Sequence, residues 1–225
     1  MERRQFLSGS SALALLLLGG CSQGLGYSLT EAIRRLLSLS SQRALARLMA
    51  PGGFYDSQVA RITLPDQLGG NGTGSMISRV LLNGLVRDRL LRQVNRAAER
   101  GAERAAPVIA DAILSTSPQD AAAIIKAAGT PAATNLLRQH MGNTLVAAIL
   151  PGIDEGLRVF DNEVVTEALR AATGINFAGL RDDVTRKASD AIYAEIGREE
   201  MAIRADPRST GDPMLIAALT AASAL

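Results

Sequence analysis

Apolar residues recur every three to four positions along most of the chain after residue 28, the spacing that places them on one face of an α-helix. The first such stretch opens with Ser28-Leu29-Thr30-Glu31, a capping-box signature, and stops at Pro51-Gly52-Gly53. The pattern therefore predicts a helix between these two signals. Its inward face is formed by Leu29, Ile33, Leu36, Leu37, Ala44 and Leu48.

The segment that follows, residues 54–68, has no helical period. Within it, Val59-Ala60-Arg61-Ile62-Thr63-Leu64-Pro65 predicts an extended strap laid over neighbouring helices. The glycine-rich run from Gly69 to Ser75 is predicted from its composition to be a flexible linker. The chain thus has one extended interruption between its first and second helical stretches.

The helical period returns over residues 76–104, with a break predicted at Gly84. Pro107 then starts or kinks a shorter helix. Two later helix starts are predicted where an N-cap residue precedes a proline, at Ser117-Pro118 and at Thr130-Pro131.

One apolar stripe runs straight through Pro151 and predicts a single kinked helix. Its members are Leu145, Ile149, Ile153 and Leu157. Further helices are predicted over residues 161–172 and 182–205, and a short Ala/Leu helix after Pro207. The inward residues of the long helix are Val184, Ala188, Ile192 and Ile196. With no strand pair or internal repeat, the predicted fold class is all-α: an irregular multi-helix bundle with one extended non-helical strap.

The composition fits closely packed helices. Of the 225 residues, 47% are hydrophobic but only 3% are aromatic, so a core must be built mostly from Ala, Leu, Ile and Val. A chain of this length buries such a core without a metal or a disulfide. The formal net charge of +2 is close to balance, and nucleic acid is not an expected partner.

The start of the chain has the layout of a bacterial export signal. Arg3-Arg4-Gln5-Phe6-Leu7 supplies positive charge and resembles a twin-arginine motif, so export by the Sec or the twin-arginine route stays open. The apolar run over residues 12–18 is too short to span a bilayer. Leu18-Gly19-Gly20-Cys21 resembles a lipobox, in which the thiol of Cys21 receives lipid and the preceding peptide bond is cut.

Lipidation at Cys21 would divide the chain into a signal peptide over residues 1–20, a lipidated tether over residues 21–27 and a helical domain over residues 28–225. Several acyl chains anchor a protein stably where one does not, so the membrane is the expected partner through this lipid. The expected location is the cell envelope, facing the periplasm. Ser22 favours the outer membrane, because Asp at that position retains lipoproteins at the inner membrane of enteric bacteria.

Candidate catalytic and metal-binding residues are sparse. His140 is the only histidine and has no cysteine or acidic partner at ligand spacing, so a structural or surface role is expected. Gly70-Asn71-Gly72-Thr73-Gly74-Ser75 lacks the lysine of a phosphate loop and follows no strand. The GxSxG sequence of a hydrolase nucleophile is missing. We therefore expect no catalytic residue, no metal and no cofactor.

A stripe of arginines lies on the predicted helix over residues 76–104. Its members, Arg92, Arg96, Arg100 and Arg104, recur every four residues. Glu99 and Glu103 follow two of them by three residues and are expected to neutralise the stripe in part. A solvated face is the favoured interpretation, and contact with anionic lipid head groups is the alternative.

Several short motifs resemble one family when they are taken in order. They are Gly53-Phe54-Tyr55, Val59 to Pro65, Asn95-Arg96-Ala97-Ala98-Glu99, Pro107 to Ile113, Asp120-Ala121, Ala132-Ala133-Thr134 with Arg138, and Glu199-Glu200 with Ile203-Arg204. On these residues the chain resembles the bacterial domain-of-unknown-function family numbered 4197. The resemblance implies an exported helical protein, often a lipoprotein, with no established activity.

Polar residues within these motifs are the candidate site positions, and structural roles are favoured for them. They are Asn95, Glu99, Asp111, Asp120, Thr134, Arg138, Glu200 and Arg204. Asp120 stands three residues after Ser117, where a carboxylate stabilises a helix N-terminus. Asp111 and Arg138 are candidates for a buried ion pair between helices. Glu200 and Arg204 have the spacing of an i,i+4 pair in the favourable order.

Three functions of different classes follow from these observations. The leading hypothesis is a non-enzymatic envelope lipoprotein that binds a protein or another envelope component. The second is a carrier whose Ala/Leu-rich helices enclose a lipid or another apolar ligand. The third is a hydrolase, which a cleft that gathers Glu99, Asp111 and Arg138 would support.

Overall fold

A computed structural model describes residues 21–64, 84–117, 119, 121–127, 129–158 and 177–223. These residues form seven α-helices, one 3-10 helix and no β-strand, which confirms the predicted all-α class. The helices are α1 (Cys21–Leu48), α2 (Gly84–Ser115), α3 (Ala121–Lys126), α4 (Ala132–Met141), α5 (Thr144–Leu157), α6 (Phe177–Ala205) and α7 (Pro213–Ser223), with the 3-10 helix at Pro207–Thr210.

Some of the predictions concern residues outside the described part of the chain. They are the signal peptide over residues 1–20, the linker Gly69 to Ser75, the helix over residues 161–172, the helix start at Pro118 and the role of Asp120. These stay predictions.

Helix α1 starts earlier than its capping signature predicts. It begins at Cys21 and passes through Ser28 without interruption, so the predicted start at Ser28 is wrong. A capping box stabilises a helix start only where the preceding residues leave the helix, and here they continue it. The helix ends at Leu48, just before Pro51-Gly52-Gly53, as predicted. The predicted inward residues are fully buried except Leu29, which is partly buried.

Two prolines lie inside continuous helices. Pro107 is within α2, so of the two predicted alternatives a new helix start at this residue is wrong. Pro151 is within α5, and the apolar stripe predicted to run through it is confirmed. Its four members, Leu145, Ile149, Ile153 and Leu157, have no exposed surface.

Helices α2 and α5 approach each other backbone to backbone because glycines occupy their contact. A methyl group added at Gly152 would lie 2.5 Å from the carbonyl oxygen of Arg100, and one at Gly156 would lie 2.5 Å from Cα of Ala97. Gly101 of α2 leaves room for the side chain of Ile149, which would lie 2.7 Å from a methyl group added there. Since these separations are shorter than van der Waals contact, no larger residue fits between the two helices.

The described residues of the strap, 59–64, form neither helix nor strand, as predicted. Ala60, Ile62 and Leu64 of the strap are buried, as is Phe54 before it, whereas Val59 is about half exposed. The strap therefore contributes side chains to the same core as the helices.

Helix α6 packs along α1 and α5 and supplies much of the core. The residues predicted to face inward from it are all buried: Val184, Ala188, Ile192 and Ile196.

Candidate functional site

A groove runs between α1 and the second half of α2. It has a volume of about 580 Å³ and is lined mainly by apolar side chains. Its floor is formed by Leu45, Ile109 and Ile113, which are buried. Leu114 lies at its rim with 70% of its surface exposed, the largest value among the big apolar side chains described. We call this space the α1–α2 groove.

The α1–α2 groove exists because small residues line it from both helices. Helix α1 contributes Ser38, Ser41 and Ala46, and α2 contributes Ala106 and Ala110. Larger side chains at these positions would fill the space, as side chains do in a close-packed core. The sequence therefore leaves a gap above an apolar floor, which is the usual form of a site for a small apolar ligand.

One residue that lines the groove has a buried polar atom without a partner. The Oγ atom of Ser41 is buried and makes no hydrogen bond with any described residue. The neighbouring Ser40 differs, since its hydroxyl donates to the carbonyl oxygen of Leu36 at 2.7 Å. An unpaired buried hydroxyl costs about 1–3 kcal/mol, and a ligand atom that bonded to Ser41 would recover this cost.

Charged residues mark the end of the groove that lies nearest the start of α1. Arg34 donates from Nε to the carbonyl oxygen of Thr116 at 3.0 Å, and it forms an ion pair with no described carboxylate. Arg35, by contrast, is paired with Glu31 at 3.1 Å and with Asp212 at 2.9 Å. The groove is thus cationic at Arg34 and apolar toward its other end.

Asp212 also caps helix α7. Its Oδ1 atom accepts hydrogen bonds from the backbone N–H of Met214 at 2.9 Å and of Leu215 at 3.1 Å. The bond from Leu215, followed by the pairing with Arg35, holds the pKa of Asp212 below its ordinary value. Sequence reasoning missed this helix start, although Asp212 before Pro213 is an N-cap signal.

Asn95 and Glu99 fasten the strap and the turn before it to α2. The Asn95 side chain accepts a hydrogen bond from the N–H of Ile62 at 2.9 Å and donates one to the carbonyl of Ile62 at 3.0 Å. One turn later, the Glu99 carboxylate accepts a bond from the N–H of Gly52 at 3.0 Å. Burial raises the pKa of Glu99 above its ordinary value, although the bond from Gly52 lowers it.

Glu200 of α6 caps helix α4 from outside. Its fully buried carboxylate accepts hydrogen bonds from the N–H of Ala133 at 3.0 Å and from the N–H and hydroxyl of Thr134, both at 2.7 Å. The prediction of Thr130 as the N-cap is wrong, because Pro131 occupies that position and makes no side-chain cap. A carboxylate from another helix satisfies these N–H groups instead.

Arg204 completes this network one turn later on α6. Its Nε donates to Glu200 at 2.8 Å, so the predicted i,i+4 pair is present. Its other nitrogens donate to the carbonyl oxygens of Ile124 and Ile125, each at 3.0 Å, where α3 ends. The pair therefore places an anion at a helix N-terminus and a cation at a helix C-terminus, the order that both helix dipoles favour.

Asp111 and Arg138 do not form the predicted buried pair. Both residues are exposed, and Arg138 pairs at the surface with Asp190 of α6. Asp111 lies two positions before buried Ile113, and two residues correspond to a rotation of about 200° around the helix. The side chain of Asp111 therefore lies on the opposite face of α2. Arg138 directly follows buried Leu137 and also turns outward. Because both side chains point away from the core, they cannot form a buried ion pair.

The residues that would support hydrolysis do not meet. Glu99 and Asp111 are twelve residues apart on α2, about 18 Å along the helix axis. His140 is exposed on α4, and its Nε2 atom is 3.1 Å from Oγ of Ser115, which is also exposed. No described carboxylate is bonded to His140.

Two buried carboxylates that sequence reasoning missed lie on α6. Glu195 and Glu199 have only 3% and 2% of their surface exposed. Arg47 of α1 pairs with Glu199 at 2.6 Å, and Arg198 pairs with the same carboxylate at 3.0 Å. The signal was present, since Glu199 follows Ile196 by three residues on the apolar face of α6.

The arginine stripe on α2 is exposed and partly neutralised. Arg92 pairs with Asp88 at 2.8 Å, and Arg104 pairs with Glu155 at 3.3 Å. The turn before the strap brings the ring of Tyr55 within 4.3 Å of the Arg92 guanidinium. Arg96 also attracts the predicted partner Glu99, so Asp88, Glu155 and Glu99 together neutralise part of the stripe.

Among the described helices, none combines the length and apolarity needed to cross a membrane. Within the same residues, His, Cys, Asp and Glu side chains form no group of three that would hold a metal ion.

The family model described as "Protein of unknown function (DUF4197)" matches residues 26–219. This span covers most of the chain, so the protein belongs to that family, as its motifs indicate. No curated protein and no solved structure matches the chain.

Proposed function

We propose that this protein is a lipid-anchored envelope protein, facing the periplasm, that acts by binding an apolar ligand in the α1–α2 groove. The groove carries this proposal, because it combines an apolar floor with an unpaired buried hydroxyl at Ser41. Its volume of about 580 Å³ is typical of a small-molecule site. The exposed side chain of Leu114 would be covered by a bound ligand.

The anchor is proposed from the lipobox-like residues that end at Cys21. Helix α1 begins at that cysteine, so the residue that carries the lipid and the wall of the groove belong to one helix. From Cys21 to Glu31, at the charged end of the groove, the helix rises about 15 Å. The groove would thus stand close to the surface in which the lipid is inserted, with the outer membrane favoured by Ser22.

Binding is favoured over catalysis because the polar groups of the family motifs are engaged in holding the fold. Asn95, Glu99, Glu200 and Arg204 each bond to backbone groups of another segment. A side chain already saturated by such bonds is a poor candidate for proton transfer or nucleophilic attack.

The test of the groove uses residues 21–225 with Cys21→Ser, which keeps all of α1 after its first residue and every residue that lines the groove. Binding of the apolar fluorescent dye N-phenyl-1-naphthylamine is measured for this chain and for an Ala110→Trp variant. Ala110 lines the groove and is exposed, so the indole fills the groove without entering the core. We expect the substitution to weaken dye binding by about tenfold or more.

Ala147→Trp is the matched control, since Ala147 is an exposed helical alanine outside the groove. It should bind the dye as the parent chain does. Equal binding by the Ala110→Trp variant would place the ligand elsewhere, and a parent chain that binds no dye would contradict the proposal. The anchor is tested separately, by the mass of the mature protein with Cys21 and with Cys21→Ala.

A further inference from the structure

We infer that the ligand of the α1–α2 groove is a single-chain acyl glycerophosphate, with its phosphate at Arg34 and its ester carbonyl at Ser41. This inference rests on the proposed function and specifies the ligand class of the same groove. Three features of the groove carry it: its volume, its one-sided charge and the position of its unpaired hydroxyl.

The volume indicates one hydrocarbon chain. A water-sized group, which is close in size to a methylene, occupies about 30 Å³. A space of about 580 Å³ therefore accommodates roughly nineteen such groups. That number fits one long acyl chain with its ester, whereas a second chain of the same length would have to remain in solvent.

The charge at one end indicates an anionic head group. Arg34 uses its Nε–H on the Thr116 carbonyl, and its remaining N–H donors form no ion pair with a described residue. Arg35 is already held by Glu31 and Asp212, so it adds little net charge to the groove. A guanidinium presents several N–H donors in one plane, which matches the oxygens of a phosphate.

The position of Ser41 indicates a second polar atom further along the ligand. Seven residues separate Arg34 from Ser41, a rise of about 10 Å along α1. Beyond Ser41 the groove is lined on α1 by Gln42, whose side-chain amide donates to Ser38 at 3.2 Å, and then by Leu45, Ala46 and Met49, which offer no polar side-chain group. An ester a few bonds from the phosphate supplies a carbonyl oxygen that the Ser41 hydroxyl, which is buried and lacks an acceptor, would bond on rotating toward the groove. The hydrocarbon then continues over the apolar floor.

The test is displacement of N-phenyl-1-naphthylamine from the Cys21→Ser chain by three ligands with equal sixteen-carbon chains, below their micelle concentrations. They are 1-palmitoyl-glycerol 3-phosphate, hexadecyl phosphate, which lacks the ester, and 1-palmitoyl-glycerol, which lacks the phosphate. We expect the first to bind about fivefold more tightly than hexadecyl phosphate, because of one hydrogen bond. Its advantage over palmitoyl-glycerol should be about tenfold or more, because that contact is charge-assisted.

Variants assign each advantage to its residue. Ser41→Ala should bind 1-palmitoyl-glycerol 3-phosphate no more tightly than hexadecyl phosphate, but still more tightly than palmitoyl-glycerol. Arg34→Gln should lose the preference over palmitoyl-glycerol and keep the preference over hexadecyl phosphate. Ser40→Ala and Arg43→Gln are the matched controls, since neither residue lines the groove and each has its hydrogen bonds elsewhere. Both controls should leave the three affinities unchanged.

Equal displacement by the three ligands would overturn the inference while leaving apolar binding in place. An Arg34→Gln variant that still prefers the ligands with a phosphate would likewise overturn the inference and leave apolar binding in place. A chain that binds neither dye nor ligand would instead overturn the proposed function, so the two failures are distinguishable.

Discussion

The guanidinium of Arg204 donates a hydrogen bond to the carboxylate of Glu200 at 2.8 Å, and almost none of either side chain is exposed to solvent. Together the two side chains hold the end of α3 and the start of α4 against α6. Removing one partner of such a pair leaves an uncompensated buried charge, which is more costly than the pair itself is stabilising.

Glu200→Gln is therefore expected to lower the free energy of unfolding by about 3 kcal/mol. The amide keeps one acceptor oxygen, but its NH2 group faces donors that need an acceptor. Chemical denaturation followed by circular dichroism measures the loss. Glu155→Gln is the control, because its pairing with Arg104 is exposed and should contribute at most about 1 kcal/mol. Equal losses for the two variants would contradict the capping role of Glu200.

Asn95→Ala should loosen the strap. The substitution leaves both the N–H and the carbonyl of Ile62 without the bonds that the Asn95 side chain provides, and Ile62 is 2% exposed. A loss of about 2 kcal/mol or more is expected, together with faster hydrogen exchange at the Ile62 amide. Arg96→Ala, at the exposed next position, should change neither quantity. An unchanged exchange rate in Asn95→Ala would show that the strap is held by its apolar side chains alone.

The pH dependence of stability should contain a contribution from Glu99. Burial raises the pKa of this carboxyl in the folded protein. The folded state therefore binds more protons than the unfolded state across the window between the two pKa values, and stability falls as pH rises through it. Glu99→Gln cannot ionise and should escape this loss.

The expected result is a Glu99→Gln variant that is more stable than the parent at about pH 7, with the difference vanishing at about pH 4. Urea denaturation at both pH values measures it, and Glu103→Gln on the exposed face of the same helix is the control. A variant less stable than the parent at neutral pH would mean that the bond to Gly52 outweighs burial.

Ser41→Ala should stabilise the unliganded protein, since it removes a buried hydroxyl that has no partner among the described residues. A gain of up to about 1–3 kcal/mol is expected in thermal or chemical unfolding. Ser40→Ala should give no comparable gain, because the Ser40 hydroxyl is bonded to Leu36. A loss of stability in Ser41→Ala would show that the hydroxyl is satisfied in solution.

Gly152→Ala should destabilise the contact between α2 and α5. The added methyl group would lie 2.5 Å from a backbone oxygen of Arg100, which no rotamer change relieves. Overpacking of this kind costs about 1–3 kcal/mol, although alanine is the better helix former. Equal stability of Gly152→Ala and the parent would mean that the helices separate readily.

Periodicity predicted the elements well where one face is continuously apolar. The stripe through Pro151 and the inward face of α6 follow directly from residues spaced three and four apart, because burial of that face outweighs the local effect of a proline. Local start signals were less reliable. Ser28 and Thr130 both match N-cap patterns. Helix α1 nevertheless continues through Ser28. The N-terminus of α4, which follows Thr130, is capped by the carboxylate of Glu200 from another helix.

The polar network and the groove depend on which faces of different helices meet, and a single sequence does not state this. Glu200 and Arg204 were predicted as a pair from their spacing, but their bonds to α3 and α4 span more than sixty residues. The groove arises from small residues on α1 opposite small residues on α2. Ser38, Ser41 and Ala46 look like ordinary helical positions until the facing helix is known.

The glycine contact between α2 and α5 has a further consequence for how the protein moves. Glycine and alanine lose no rotamer freedom when they are buried, so the backbone contacts at Ala97, Gly152 and Gly156 order almost no side-chain degrees of freedom. The side chains that pack against Gly101 are those of Ile149 and Ile153, and because β-branched residues are stiff at χ1, few side-chain rearrangements would open the interface in steps. Backbone amides over residues 149–156 should therefore exchange with solvent only through global unfolding, as one cooperative unit with the facing turns of α2.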